Sequence, residues 1–210
     1  DTDTSNGGQQ IDIDTNFNVT LSDTGNMSAS ALNTLNGKVP GTVTVTSAVT
    51  LTGSASDIAT AASADSAGTL ALAANFGATV SAGAVDAADL ITIYGQTSAT
   101  INATAATGIN GSAANVHTVI DHAQVNHDTN FTVTISGTSA AAADLKAIDA
   151  ITSGIITATG VETITGSLSD VGDVVDVDTD TSSAGQQIDI DTNFTVTLSD
   201  TGTMSASALN

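Results

Sequence analysis

The sequence predicts a mainly β fold, a parallel β-solenoid with short helical segments in its turns, and three observations carry that expectation. Residues 1–33 recur as residues 178–210 at a displacement of 177, with differences only at Asn6/Ser183, Gly7/Ala184, Asn18/Thr195 and Asn26/Thr203. Short apolar/polar alternations follow one another along the 210 residues, the period-two signature of half-buried strands. Apolar residues make up 40% of the chain but aromatics only 2%, with no Trp and no Cys. Such side chains cannot fill a thick core, so an ordered structure has to be thin and closely stacked. Low-complexity polar composition also favours disorder, but the regular recurrence of Val, Ile and Leu argues against it.

The long period is itself divided. The pair Asn-Phe stands at 16–17, 75–76, 130–131 and 193–194, with spacings of 59, 55 and 63. These anchors divide the chain into the end of a preceding unit (1–16), unit A (17–75), unit B (76–130), unit C (131–193) and the start of a further unit A (194–210). Near-identity of the two ends suggests a window on a longer tandem array. Units of this length cannot bury an apolar face alone and must stack on neighbours.

Each unit opens on a strand. Phe131, Val133 and Ile135 alternate with Thr132, Thr134 and Ser136, and Thr and Val suit a pleated surface. A short helix follows in "SALNTLNG", "ADLITIYG" and "ADLKAIDA", where Leu32/Leu35, Leu90/Ile93 and Leu145/Ile148 share a face. Ser139 or a neighbour is expected to cap the third of these, and Gly37 and Gly95 to end the first two. A second strand is expected at "TVTVT" (42–46) and "GIITAT" (154–159). A third ends in "TGS" or "NGS", and a second helical turn starts near Asp57, Asn115 or Asp170. Each unit then supplies two coils of roughly 30 residues. Length differences fall after the third strand, where loops grow without disturbing a core. Tandem small β-rich or α/β domains are the alternative architecture.

These blocks, and phrases such as "ADLKAIDAITSGIITATGVETITG", resemble the giant repetitive cell-surface proteins of marine cyanobacteria and related bacteria, which are rich in Thr, Ala and Asp. The resemblance implies an extracellular, calcium-rich setting and a structural or motility-associated role, and brings no catalytic residues with it.

Charge narrows the partners. Two basic residues, Lys38 and Lys146, face 22 carboxylates, for a formal net charge of −20. Nucleic acid is excluded, since phosphate binding needs Lys and Arg; cations are attracted. No apolar run approaches the roughly 20 residues that span a bilayer.

The carboxylates concentrate in "VVDVDTDTSSAGQQIDIDTNF" (174–194), read as two strands with one apolar and one acidic face. Side by side they set like charges opposite one another, which destabilises the pair. Two remedies are open: a hydrated, salt-screened face, or Ca²⁺ between oxygen ligands. The Ca²⁺ reading places sites on Asp178, Asp180, Asp189 and Asp191, repeated at Asp1, Asp3, Asp12 and Asp14. No EF-hand or other named calcium motif is present. His117, His122 and His127 fall at five-residue steps, which put them on different faces of a helix or strand. They are polar connector residues, unless loop geometry gathers them on a transition metal.

Catalysis is not expected. Polysaccharide chemistry on a solenoid needs cationic stabilisation of developing charge, and there is no Arg. The expected role is a structural tandem-repeat segment of a very long extracellular protein, forming or decorating a filament, sheath or layer. Its partners are neighbouring repeats, identical chains and divalent cations. The alternatives are an ice- or glycan-binding face built from Thr rows, or the spacer stalk of an adhesin.

Overall fold

The computed structural model of the chain describes residues 15–179, 188–190 and 193–201. From each Asn-Phe pair the same order of elements runs: strand, strand, helix, strand, strand, helix, strand. The first such run is β1 (Val19–Leu21), β2 (Gly25–Ser28), α1 (Ala29–Asn36), β3 (Val43–Val45), β4 (Val49–Gly53), α2 (Ala55–Ser66) and β5 (Leu70–Ala71). The second is β6 (Gly77–Val80), β7 (Gly83–Asp86), α3 (Ala87–Tyr94), β8 (Ile101–Asn102), β9 (Ala106–Gly111), α4 (Ala113–Ile120) and β10 (Val125–Asn126). The third is β11 (Thr132–Ile135), β12 (Ser139–Ala141), α5 (Ala142–Asp149), β13 (Ile156–Ala158), β14 (Thr163–Gly166), α6 (Leu168–Thr179) and β15 (Ile188–Ile190), after which β16 (Thr195–Leu198) opens a fourth.

All pairings are parallel, and each strand pairs with its counterpart one coil away. Val19 lies beside Val43, Val85 beside Ile109 and Ile109 beside Val133, steps of 24 residues. Thr50 beside Gly77 is a step of 27, and Ile156 beside Ile188 one of 32. The coil is therefore mostly shorter than the expected 30 residues. After β4 the extra length enters through the helix rather than a loop: α2 has 12 residues where α4 has 8. An added helical turn lengthens the coil without moving the strands it connects.

Among the described residues four sheets result, ordered β1-β3-β5, β10-β8-β6-β4-β2, β15-β13-β11-β9-β7 and β12-β14-β16. Both five-stranded sheets are composite. The second takes β6, β8 and β10 from one run and β4 and β2 from the run before it; the third combines β11, β13 and β15 with β9 and β7 in the same way. Thus the first, third and fifth strands of a run build one sheet, and its second and fourth complete the next. Each Asn-Phe strand, β6 or β11, is the central strand of its sheet.

Alternation in the strands becomes stacked columns in the core. Val85, Ile109, Val133, Ile156 and Ile188 form one such column, all buried. Phe131, Val133 and Ile135 point inward and Thr132, Thr134 and Ser136 outward, as the sequence indicates. The helices pack consecutively from α1 to α6. Their fourth and seventh residues face the strands, with Leu90/Ile93, Val116/Val119 and Leu145/Ile148 all fully buried. Helices shorter than about 12 residues are marginal in isolation, so this tertiary contact is what holds them.

Side-chain caps fix where most helices start. Ser28, Ser54, Asp86 and Ser112 accept a hydrogen bond from a backbone N–H of the first turn, whereas Ala141, the residue before α5, has no side chain able to do so. The expected cap at Ser139 instead opens β12. Gly37 and Gly95 do end α1 and α3, but with right-handed backbone, φ −69° and −66°.

Two expectations are corrected. Helix and strand occupy nearly equal shares, so the class is mixed α/β with parallel sheets rather than mainly β; the predicted helical turns are true helices of 8 to 12 residues. Residues 174–178 lie in α6, not in a strand. Ser167 bonds the amide of Asp170 at 3.1 Å and its carboxylate at 2.8 Å, starting a helix there. Val171 and Val174, three apart, are then buried together. The Val/Asp alternation from 174 to 178 overlies this helical spacing and is too short to override a capped start.

In the second and third of the "TGS" and "NGS" blocks, glycine is favoured by both conformation and space. Gly111 and Gly166 have φ +150° and +159°. A Cβ there would lie 3.2 Å from that of Ala87 and 3.1 Å from that of Ala142, the first residues of helices one coil earlier. Gly166→Ala should destabilise the chain by about 1–3 kcal/mol, the usual cost of a side chain in this backbone region. Gly172→Ala, with open space at its Cβ, should not; urea titration of both variants provides the comparison.

Candidate functional site

Of the proposed calcium ligands, Asp178 and Asp189 fall among the described residues, and they lie on different kinds of element. Asp178 lies in α6, whereas Asp189 is exposed on β15 beside Thr157. Asp180, Asp191, Asp1, Asp3, Asp12 and Asp14 lie outside the described residues. Because 168–179 is helical, Asp176 and Asp178 do not stand on a strand beside Asp189. Among the described residues, no group of three or more His, Asp or Glu side chains is placed to hold a metal ion.

The histidines take separate places. His117, on α4, bonds Asp144 of α5 through Nδ1 at 2.8 Å. His122 stacks on Tyr94 of α3, ring centroids 4.0 Å apart and planes 12° from parallel, while its Nδ1 accepts the amide of Gln124 at 3.3 Å. His127 places Nε2 3.0 Å from the carbonyl of Ile120 and Nδ1 2.8 Å from that of Asp128, and meets Phe131 edge-on. A neutral ring donates to only one of those carbonyls. His117 and His122, with Thr118 and Asp121, line an open cleft of about 340 Å³. Each histidine thus ties one coil to another or to its own loop, and the three share no ligand geometry.

More systematic is a polar ladder along the helix layer, in which the fifth residue of one helix reaches the third residue of the next. Asn33 Nδ2 donates to the carbonyl of Asp57 at 2.8 Å, His117 meets Asp144, and Lys146 Nζ donates to Asp170 at 2.7 Å, with Asp173 a further 2.7 Å contact. Where the fifth residue is apolar, the rung is missing: Ala59 precedes Asp89 and Ile91 precedes Asn115. Which residue lies across from the fifth is set by the stacking register and cannot be read from the order of residues alone.

Electrostatics follow the ladder. The Lys146 ammonium and the Ser167 hydroxyl hold the Asp170 carboxyl below the usual carboxylate range, and the two carboxylates raise Lys146. Partial burial raises Asp89, with the nearby charge of Asp86 adding to it, and burial alone raises Asp149. The Asp149 Oδ1 atom is buried with no hydrogen-bond partner.

Two polar side chains, Thr97 and Thr152, are buried and do one job. Each hydroxyl donates to the carbonyl of the phenylalanine 21 residues earlier, Phe76 and Phe131 respectively. The Asn-Phe anchor is therefore fixed through its backbone by the following coil, while its ring fills the core.

pH tests these assignments. A carboxyl raised on folding binds its proton more tightly in the folded state, so stability increases as pH falls from above the folded value toward the unfolded one. Asp149→Asn should raise the melting temperature at pH 7, with the gain shrinking toward pH 4. Asp170 has the opposite sign: its contribution is present above the unfolded value and is lost as pH falls through the lower folded one. Lys146→Met should therefore lower the melting temperature at pH 7 and converge with the parent chain as the solution is acidified below the usual carboxylate range. Thermal melts between pH 2.5 and 7.5 read both.

No protein-family model, curated protein or solved structure matches the chain.

Proposed function

We propose that the chain is a non-catalytic, load-bearing segment of a very long extracellular protein, its units stacked as a continuous narrow solenoid that forms or decorates a surface filament, sheath or layer. The observation that carries this reading is the composite sheet. Because the second and fourth strands of each run complete the sheet of the next, an isolated run leaves strand edges open, and exposed edges promote association. Stacking in series closes them. The consecutive helix layer and its polar rungs support the same arrangement.

The outward faces suit a saline exterior. Ser28, Thr52, Thr79, Asn102 and Asn126 make one polar row, and 22 carboxylates against two lysines disfavour side-by-side association of like chains. The row ends after five residues because its sheet ends there and the next sheet takes over. That stepping weighs against the ice- or glycan-binding alternative, which requires a long unbroken lattice. Among the described residues no helix is long and apolar enough to cross a membrane.

Joined chains containing one, two and three 177-residue periods test the reading. Small-angle scattering should give a constant cross-section with length rising linearly in period number, in calcium and in chelator alike. A radius of gyration that scales as for beads on flexible tethers would overturn it.

A further inference from the structure

The two ends of the described stack are complementary, and the repetition in the sequence shows how they fit. At one end, β1, β2 and α1 border an open groove of about 180 Å³ lined by Leu21, Asp23, Met27, Ala31, Leu32 and Leu35. The seventh residue is buried in each of the other five described helices (Ala61, Ile93, Val119, Ile148 and Val174), but Leu35 of α1 is only half-buried. No described helix covers the upstream side of α1. At the other end, the described counterparts of this edge, among them those of Leu21 and Asp23, are already engaged. Thr195 N donates to the carbonyl of Glu162 at 2.7 Å, Ser199 N to that of Gly166 at 2.8 Å, and Asp200 accepts the amide of Leu168, at the start of α6, at 2.6 Å. Leu198 packs on the core beside Gly166.

Displaced by 177, Leu198, Ser199 and Asp200 are Leu21, Ser22 and Asp23. We infer that the groove at β1 and α1 is a docking site for a second copy of this chain, which inserts its β14 strand and the first turn of its α6. The inference rests on the stacked reading above and adds the residues of the junction. Ser22 N–H meets the partner copy's Gly166 carbonyl, and the Asp23 carboxylate caps its α6 at Leu168. Val19 N–H points the other way, to Thr42 of the same chain at 3.0 Å, which leaves the alternate amides of β1 on the open edge. The helix positions that carry polar rungs elsewhere would here be Gly172 and Ala31, small enough for close approach. Such a contact is heterologous and non-closing, so it propagates into a filament.

Within one chain, residues 193–201 hold the β14 edge that a second copy would take, so the segment is a self-cap that competes with docking. Loosening it should release assembly. Ser199→Pro with Asp200→Ala removes the 2.8 Å and 2.6 Å bonds at that end alone. Sedimentation velocity should show this variant forming concentration-dependent oligomers where the parent chain does not. Adding Ser22→Pro and Asp23→Ala, the same lesions in the groove, should restore the monomer.

A second measurement does not depend on how those variants fold. Thr163 lies opposite Thr195, whose counterpart is Asn18. In a chain without native cysteine, Asn18→Cys with Thr163→Cys traps each transient opening of the self-cap irreversibly, so prolonged oxidation should give a ladder of disulfide-linked chains, and each single variant at most a dimer. Absence of the ladder, or oligomers that persist with the groove lesions, would overturn the docking site. Linear length scaling of joined periods alongside a missing ladder would discard this junction and leave the stacked reading intact.

Discussion

Parallel pairing of each strand with its counterpart one coil away is the constraint from which the other features descend. Because the partner lies 23 to 27 residues on in most of the chain, everything between two paired strands must return the backbone to the same place about 4.8 Å further along. Side chains at equivalent positions then lie one above another, which demands a match in size and polarity at every rung. Aliphatic columns inside and hydroxyl, amide or carboxylate rows outside satisfy that demand. The helices meet it too, and the rungs from Asn33, His117 and Lys146 to the next helix exist only because the stacking fixes which residue lies across.

Where the chain runs from one unit to the next, the same constraint has a less obvious result. An extra strand enters at each Asn-Phe pair, so the sheet that had been second in the coil becomes first and a new one starts. A boundary drawn at that pair is a boundary in the repeat of the sequence but not in the hydrogen bonding, since β2 and β4 complete a sheet whose remaining strands begin after Phe76. The buried hydroxyls of Thr97 and Thr152, fastened to the phenylalanine carbonyls of Phe76 and Phe131, lock the inserted strand at the point where the handover takes place.

Much of this was legible in the sequence, and the losses have identifiable causes. Strands with full alternation, such as Phe131–Ile135, and helices with paired aliphatics, such as Leu145/Ile148, could be read directly because their periods are clean. Strands β2, β7 and β12 could not: Gly25–Ser28 and Gly83–Asp86 contain glycine and little alternation, and they are strands because a neighbour one coil away holds them. The acidic stretch at 174–178 was misread because a four-residue alternation and a helical face fit the same letters, and the Ser167 cap decides between them. Composite sheets were out of reach altogether, since two-residue strands such as β8 and β10 acquire meaning only through register. For the candidate calcium ligands, only Asp178 and Asp189 fall among the described residues, and they lie on different kinds of element.

The 12-residue α2 stands in the same place in its run as the 8-residue α4, and the paired strands on either side keep their partners in both. Insertions and deletions of a single helical turn are therefore nearly invisible to the hydrogen-bonded lattice. A gene for such a protein tolerates unequal recombination between its copies: neighbours of different size still mesh, and the array can expand, contract and drift without first solving a new folding problem.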